Sequence, residues 1–316
     1  MKICFLIPFF GKMNNYFPLF LESCRRNRDI DWIIFTDDST GYNYPENVKV
    51  HYTTFEAIKD LFQKKFSFSI KLNRPYKLCD FRPAYGYVFE DYLKDYDFWG
   101  YCDTDLIWGN IQKFITADIL NNYDKIGVLG HCTLFRNTKD CNTAFMNKNV
   151  DSRYETVCTN DKGFSFDEEF NNSINNIYER MGKKIYSTLN IGNIYTKSNY
   201  FKLVRYDFEH NVYIKENRKN SFFLWDNGNL FRYTKTKGIL LKEEFLYIHL
   251  QSRQMKWDGV YSEKFKIIPH CFEALEVPEV TASNFDNIRK FYYSMHYLRL
   301  RSKNLITKIN RRIKNR

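Results

Sequence analysis

The sequence predicts an α/β fold, an open and mostly parallel sheet flanked by helices, with a basic amphipathic helix at the C-terminal end. Three observations carry this. Apolar runs of strand length alternate with helix-period segments through the first hundred residues. Pro, Gly, Ser and Thr punctuate the junctions. From Arg289 to Arg316 there are ten Lys and Arg and no Asp or Glu.

In chain order, "KICFLIPFFG" (2–11) is a continuous apolar run closed by Pro8 and Gly11, as in a strand buried on both faces. It lacks a small-residue cleavage site and reads as a first strand, not a signal core. "FPLFLESCRRN" (17–27) suits a covering helix, and Trp32–Phe35 a second strand ending in Thr36-Asp37-Asp38. "VKVHYTT" (48–54) alternates with period two, a third strand. "FEAIKDLFQKKF" (55–66) is helical, with Phe55, Ile58, Leu61 and Phe62 on one face. Pro83 then opens a helix over 83–96, and "DFWGYCDTDLIWGN" (97–110) is the next strand and its exit. The division expected is 1–260 as catalytic domain, split into 1–110 and 111–260, with 261–316 as a C-terminal extension.

Hydrophobic residues make up 44 % of the 316 and aromatics 18 %, a globular composition. No apolar run reaches the roughly 18 residues that span a bilayer. The eight cysteines have no repeating spacing, which argues against a disulfide framework and fits a reducing cytoplasm. No C-x-x-C pair supports zinc at His131, Cys132, Cys141 and Cys158. Of the net charge of +11, +10 lies in 289–316, so the body is nearly neutral.

D-x-D occurs three times, at Asp29/Asp31, Asp95/Asp97 and Asp103/Asp105. Only the last stands at the carboxyl end of a strand, where open α/β sheets bind ligands. Side chains at i and i+2 of a strand point the same way, so one cation could meet both carboxylates. A solvated acidic turn is the alternative.

The segment "KLCDFRPAYGYVFEDYLKDYDFWGYCDTDLIWGN" (77–110), a charged loop, a helix and an apolar strand ending in D-x-D, resembles the GT-A-fold nucleotide-sugar glycosyltransferases. More narrowly it resembles an uncharacterised group from bacterial capsule and O-antigen loci, over residues 1 to about 260. The resemblance implies a Rossmann-like sheet and a hexosyltransferase that takes a nucleotide sugar, UDP-linked, to a lipid-linked or oligosaccharide acceptor. It implies Mn²⁺ or Mg²⁺ held by Asp105 and Asp103, with Asp103 also at the ribose. Oxygen-rich sites suit both ions, and a hard cation stabilises a leaving diphosphate. His249, closing an expected strand in "FLYIHLQSRQMKW" (245–257), matches the late metal ligand, and Arg253 or Lys256 the phosphate partner. Asp37 and Asp38 stand where the base is met, with Pro8 beside them. Lys77, Asp80 and Arg82 form a charged loop before a helix N-terminus, a place for anion contacts.

"FSFDEEFNNSINNIYERMG" (164–182) reads as a helix capped by Ser165 or Asp167, with Phe170, Ile174, Ile177 and Met181 inward. The resemblance makes Asp167, then Glu168, a general base on the acceptor. Trp225 and Asp226 are expected to wall the acceptor. The tail 289–316 reads as a helix lying on an anionic bilayer, which places the protein on the cytoplasmic face of the bacterial plasma membrane. A non-catalytic basic protein whose tail binds nucleic acid or a partner is the rival reading, and a nucleotidyltransferase the rival chemistry on this sheet. A near-neutral body without a nucleic-acid module argues against the first, and a single Gly after the first strand against the second.

Overall fold

The computed structural model describes every residue except 169–170, 218–219, 291–292 and 315–316, so Phe170 and Phe291 lie outside the described residues. The chain forms two compact units. The first comprises Met1–Thr104, Ile111–Leu189 and Phe208–Asn211, the second Asp105–Asn110, Asn190–Asp207 and Val212–Arg316.

The first unit is built on a seven-stranded sheet. Its spatial order is Val48–Tyr52, Ile30–Thr36, Ile3–Pro8, Phe98–Cys102, Cys132–Arg136, Lys125–Leu129 and Ile185–Tyr186. The first four strands are mutually parallel; Cys132–Arg136 runs antiparallel to both neighbours, and the last pair is parallel again. This is the expected mostly parallel α/β architecture. Helix Phe17–Arg25 carries Pro18 in its first turn, and helix Phe55–Lys65 is capped by Thr54, whose side chain accepts the Ala57 N–H at 3.2 Å. Ile58 and Phe62 pack with Phe35, Phe81, Tyr85, Phe89, Trp99 and Tyr101 in one aromatic-rich core.

Two helices depart from expectation. Helical turns begin at Pro75, before Pro83, and come in short pieces: Leu78–Phe81, a 3₁₀ turn Arg82–Ala84, and Tyr85–Val88. Lys77, Asp80 and Arg82 therefore lie within helical turns, not in a loop before a helix. Pro83 lacks the N–H a continuous helix needs. Residues 164–182 hold only the helix Ile174–Arg180, capped by Ser173 in a capping box with Asn176. Ser165 and Asn172 have φ of 50° and 70°, which interrupts any longer helix.

The second unit contains a five-stranded antiparallel sheet. Its order is Ile239–Phe245, Asn229–Thr236, Ser221–Asp226, Lys264–Ile268 and Cys271–Ala274. A three-stranded sheet joins Leu106–Trp108, Tyr247–His249 and Gly192–Asn193. Residues 261–316 supply two strands, Lys264–Ile268 and Cys271–Ala274, to the five-stranded sheet. Phe285 and Ile288 pack with Phe222, Leu224, Tyr233 and Ile268. Helix His296–Lys314 ends the described chain, shorter than the expected 289–316. No helix among the described residues is long and apolar enough to cross a membrane. All eight cysteines are free thiols; Cys79 is half-buried and the others are buried.

Candidate active site

The chain order of the first sheet places its crevice. From Ile3–Pro8 the chain steps outward to Ile30–Thr36 and Val48–Tyr52, then returns to the opposite flank with Phe98–Cys102. Ile3–Pro8 and Phe98–Cys102 are parallel neighbours, with Leu6 opposite Tyr101, so their carboxyl ends open side by side. Such a reversal point is where open α/β sheets take ligands. Asp103 follows directly on one of these ends.

Arg82 organises this edge. One nitrogen of its fork donates to Asp103 Oδ1 at 2.5 Å, and the other to Asp167 Oδ2 at 2.9 Å and the Gly130 carbonyl at 2.5 Å. Its guanidinium also lies over the Tyr101 ring at 5.1 Å. The Tyr101 hydroxyl donates to the Asp167 carbonyl at 3.0 Å. Gly130 leaves room for this: an added Cβ would come within 2.5 Å of Glu168 Cγ. Asp167 is fully buried, and its Oδ1 has no hydrogen-bond partner among the described residues. Burial pushes the Asp167 carboxyl up to about 8, with Glu168 adding to the rise and Arg82 opposing it. Asp167 is therefore not an accessible base. It positions Arg82, and half-buried Glu168 is the carboxylate of the pair that solvent reaches.

The segment bearing Asp167 is held from below by Lys77 and Asp80, a buried ion pair at 2.8 Å. Lys77 Nζ also donates to the Lys162 carbonyl at 2.6 Å. Asp80 accepts the backbone N–H groups of Phe164 and Phe166 at 3.0 and 3.2 Å. Both of these members of the expected anion-contact group are engaged with each other and with backbone.

In the second unit, His249 ends its strand as expected, with Nε2 3.3 Å from Asp105 Oδ1. Its Nδ1 faces Asn193 Oδ1 at 3.4 Å, and that oxygen also accepts from Gln251 Nε2 at 2.9 Å. Asn193 cannot donate from that oxygen, so Nδ1 carries a proton, and Nε2 faces the Asp105 carboxylate. Such a facing pair needs a cation or a proton between its members. The Ser252 N–H also donates to Asp105. Burial pushes the Asp105 carboxyl up, but His249 and the Ser252 N–H outweigh it and hold it below the usual range.

The D-x-D triplet is not extended. Its residues form the turn after Phe98–Cys102, so the shared-face geometry of a strand does not apply. Asp38 is buried and saturated: it accepts from Lys12 Nζ (2.7 Å), the Met13 N–H (3.0 Å) and the Thr40 hydroxyl (2.7 Å). It is a staple between two loops, whereas Asp37 is exposed and takes the Gly11 N–H at 2.7 Å. Gly11 has φ +106°, open to glycine alone at little cost. Pro8 ends its strand half-buried. Arg253 is buried, donating to the Ser198 carbonyl (2.9 Å) and Ser294 Oγ (3.1 Å), whereas Lys256 is exposed. Trp225 is fully buried, stacked on Phe265 and donating to the Trp108 carbonyl, which leaves no face for a sugar. Asp226, half-buried, lies 3.9 Å from Lys264. Gly130, Tyr101 and Asn193 were not foreseen. No local pattern marks them, because each acts on a distant segment.

The fold and this edge define an α/β protein with an Arg–carboxylate cluster where its sheet order reverses. The chain belongs to DUF6625, a family of unknown function, whose profile matches residues 5–276. No curated protein matches it significantly. Two solved structures of the galactosyltransferase LgtC are similar to it. One is a complex with donor and acceptor sugar analogs (TM-score 0.34, 12 % identity, 61 % of this chain and 75 % of that one). The other is an active-site mutant (TM-score 0.33, 12 % identity, the same coverage). Overlap this low carries no argument about chemistry.

Proposed function

We propose that this protein is a metal-dependent glycosyltransferase that moves a hexose-type sugar from a nucleotide-sugar donor, UDP-linked by preference, to a surface-polysaccharide acceptor of the capsule or O-antigen kind. One observation carries the reading: the Arg82, Asp103 and Asp167 cluster at the reversal point of the sheet, with Asp105, two residues on in the chain, facing His249. The donor set fits a divalent ion. Two carboxylates and an imidazole suit Mn²⁺ or Mg²⁺, and a cation can take the place of the proton between His249 Nε2 and Asp105. Asp103, Asp105 and His249 would hold the ion, which supplies Lewis-acid stabilisation of the leaving diphosphate.

The chain's own groups would do the rest. Arg82 fixes the Asp103 carboxylate, and Asp167 fixes Arg82. Glu168 takes the acceptor proton in this reading, with Asp37 on the nucleotide side and exposed Lys256 meeting phosphate. The exposed basic helix would hold the enzyme at the cytoplasmic face of the plasma membrane, where a lipid-linked acceptor resides.

A donor screen with Mn²⁺ should release nucleoside diphosphate from UDP-sugars. In calorimetry, Asp105→Ala should abolish Mn²⁺-dependent UDP binding while circular dichroism stays unchanged. Equal UDP affinity in variant and parent, with and without chelator, would sink the assignment.

A further inference from the structure

We propose that His270, Cys271 and Glu273 form a second metal site, of the zinc class, in the hairpin of the five-stranded sheet. The hairpin pairs Lys264–Ile268 with Cys271–Ala274, and Ile268 opposite Cys271 closes it through Pro269-His270. Cys271 and Glu273, two apart on one strand, share a face. Lys266 stands opposite Glu273 in register, and its Nζ takes Glu273 Oε2 at 2.7 Å and the Ile288 carbonyl at 2.9 Å. That leaves Oε1 turned to Cys271 Sγ, 3.1 Å away. One donor atom from each of His270, Cys271 and Glu273 lies within 4.8 Å of the others. The turn is fixed from outside, because the Lys256 N–H donates to the His270 carbonyl (2.7 Å) and the Phe272 N–H to the Lys256 carbonyl (2.9 Å).

Sulfur, imidazole and a single carboxylate oxygen form a borderline-soft set, suited to Zn²⁺ and not to Mg²⁺. Binding replaces the Cys271 thiol proton, which leaves to solvent, so thiolate and carboxylate together match the dication. Three protein ligands leave a fourth position open. The site shares no residue with Asp105 and His249 and does not rest on the glycosyltransferase reading.

Co²⁺ titration of the full chain tests it. A thiolate-to-cobalt charge-transfer band should rise to saturation and vanish on adding Zn²⁺. The band should be absent in Cys271→Ser and unchanged in Asp105→Ala. His270→Ala should weaken binding by at least the roughly 10–100-fold that losing even an outer partner of a metal costs. No band from the folded chain, a band surviving in Cys271→Ser, or full affinity in His270→Ala would each overturn the site. In the last two cases another thiol, or a hairpin held by the Cys271–Glu273 hydrogen bond alone, takes its place.

Discussion

Asp167 and Asp38 show how little a carboxylate's neighbours in sequence say about its role. Both stand in acidic stretches, Asp37-Asp38 and Asp167-Glu168, and in each pair one member is sealed inside. What decides the matter is a partner far along the chain, Arg82 for Asp167 and Lys12 for Asp38. The two then diverge, because Asp38 receives several donors and Asp167 leaves one oxygen unmet among the described residues. Burial holds the Asp167 proton up to a pKa of about 8, whereas an unfolded Asp releases it near 4. The folded state therefore keeps a proton that the unfolded chain has lost. The associated stability is full below about pH 4, falls as pH rises through the interval, and is gone above about pH 8. Asp167→Asn, neutral at every pH, should flatten that fall. Urea denaturation between about pH 5 and 8 measures it, and equal slopes in variant and parent would return Asp167 to an ordinary ionised partner of Arg82.

At the scale of elements, strands were legible and broken helices were not. Ile3–Pro8, Ile30–Thr36, Val48–Tyr52 and Phe98–Cys102 fall where apolar runs and period-two alternation put them, since burial on a sheet writes a local signal. Helices Phe17–Arg25 and Phe55–Lys65 were legible for the same reason. The turns from Pro75 to Tyr92 were not, because long-range packing breaks them. An added Cβ at Gly86 would strike the Trp99 ring at 2.3 Å, so the piece is fitted to a strand the helical pattern does not reveal. The segment 162–166 likewise has no regular structure of its own and borrows order from Lys77 and Asp80. Removing one member of a buried ion pair strands the other, at a cost of about 3–5 kcal/mol. Asp80→Ala should lose that much in denaturant unfolding and speed amide exchange at Phe164 and Phe166. Lys77→Met with Asp80→Leu should recover much of the stability and little of the exchange protection. If Asp80→Ala is silent in both measurements, the pair does not order the segment.

For the molecule as a whole, net charge concentrates in the last 28 residues of the sequence, 289–316. On helix His296–Lys314, Leu298, Leu305, Ile306 and Ile309 are each 46–60 % exposed among Arg and Lys. Attraction to anionic lipid adds about 1 kcal/mol per basic residue near the surface. The structure also says where to cut. Ile288 belongs to a core and Ser294 binds Arg253, so a truncation must leave both in place. Deleting 298–316 should abolish binding to anionic vesicles and leave the thermal unfolding of the remainder near that of the parent. A full-length chain that ignores such vesicles yet shifts RNA with a steep salt dependence would reverse the reading. The cysteines carry a different consequence. With seven of eight thiols buried and Cys79 half-covered, the native protein presents an alkylating reagent with almost nothing to attack. Each buried thiol can react only when its own neighbourhood opens, so the rate of labelling becomes a clock for local unfolding. Cys4, Cys24 and Cys102 keep time for the first sheet and its helix, Cys271 for the second, without a single residue being introduced.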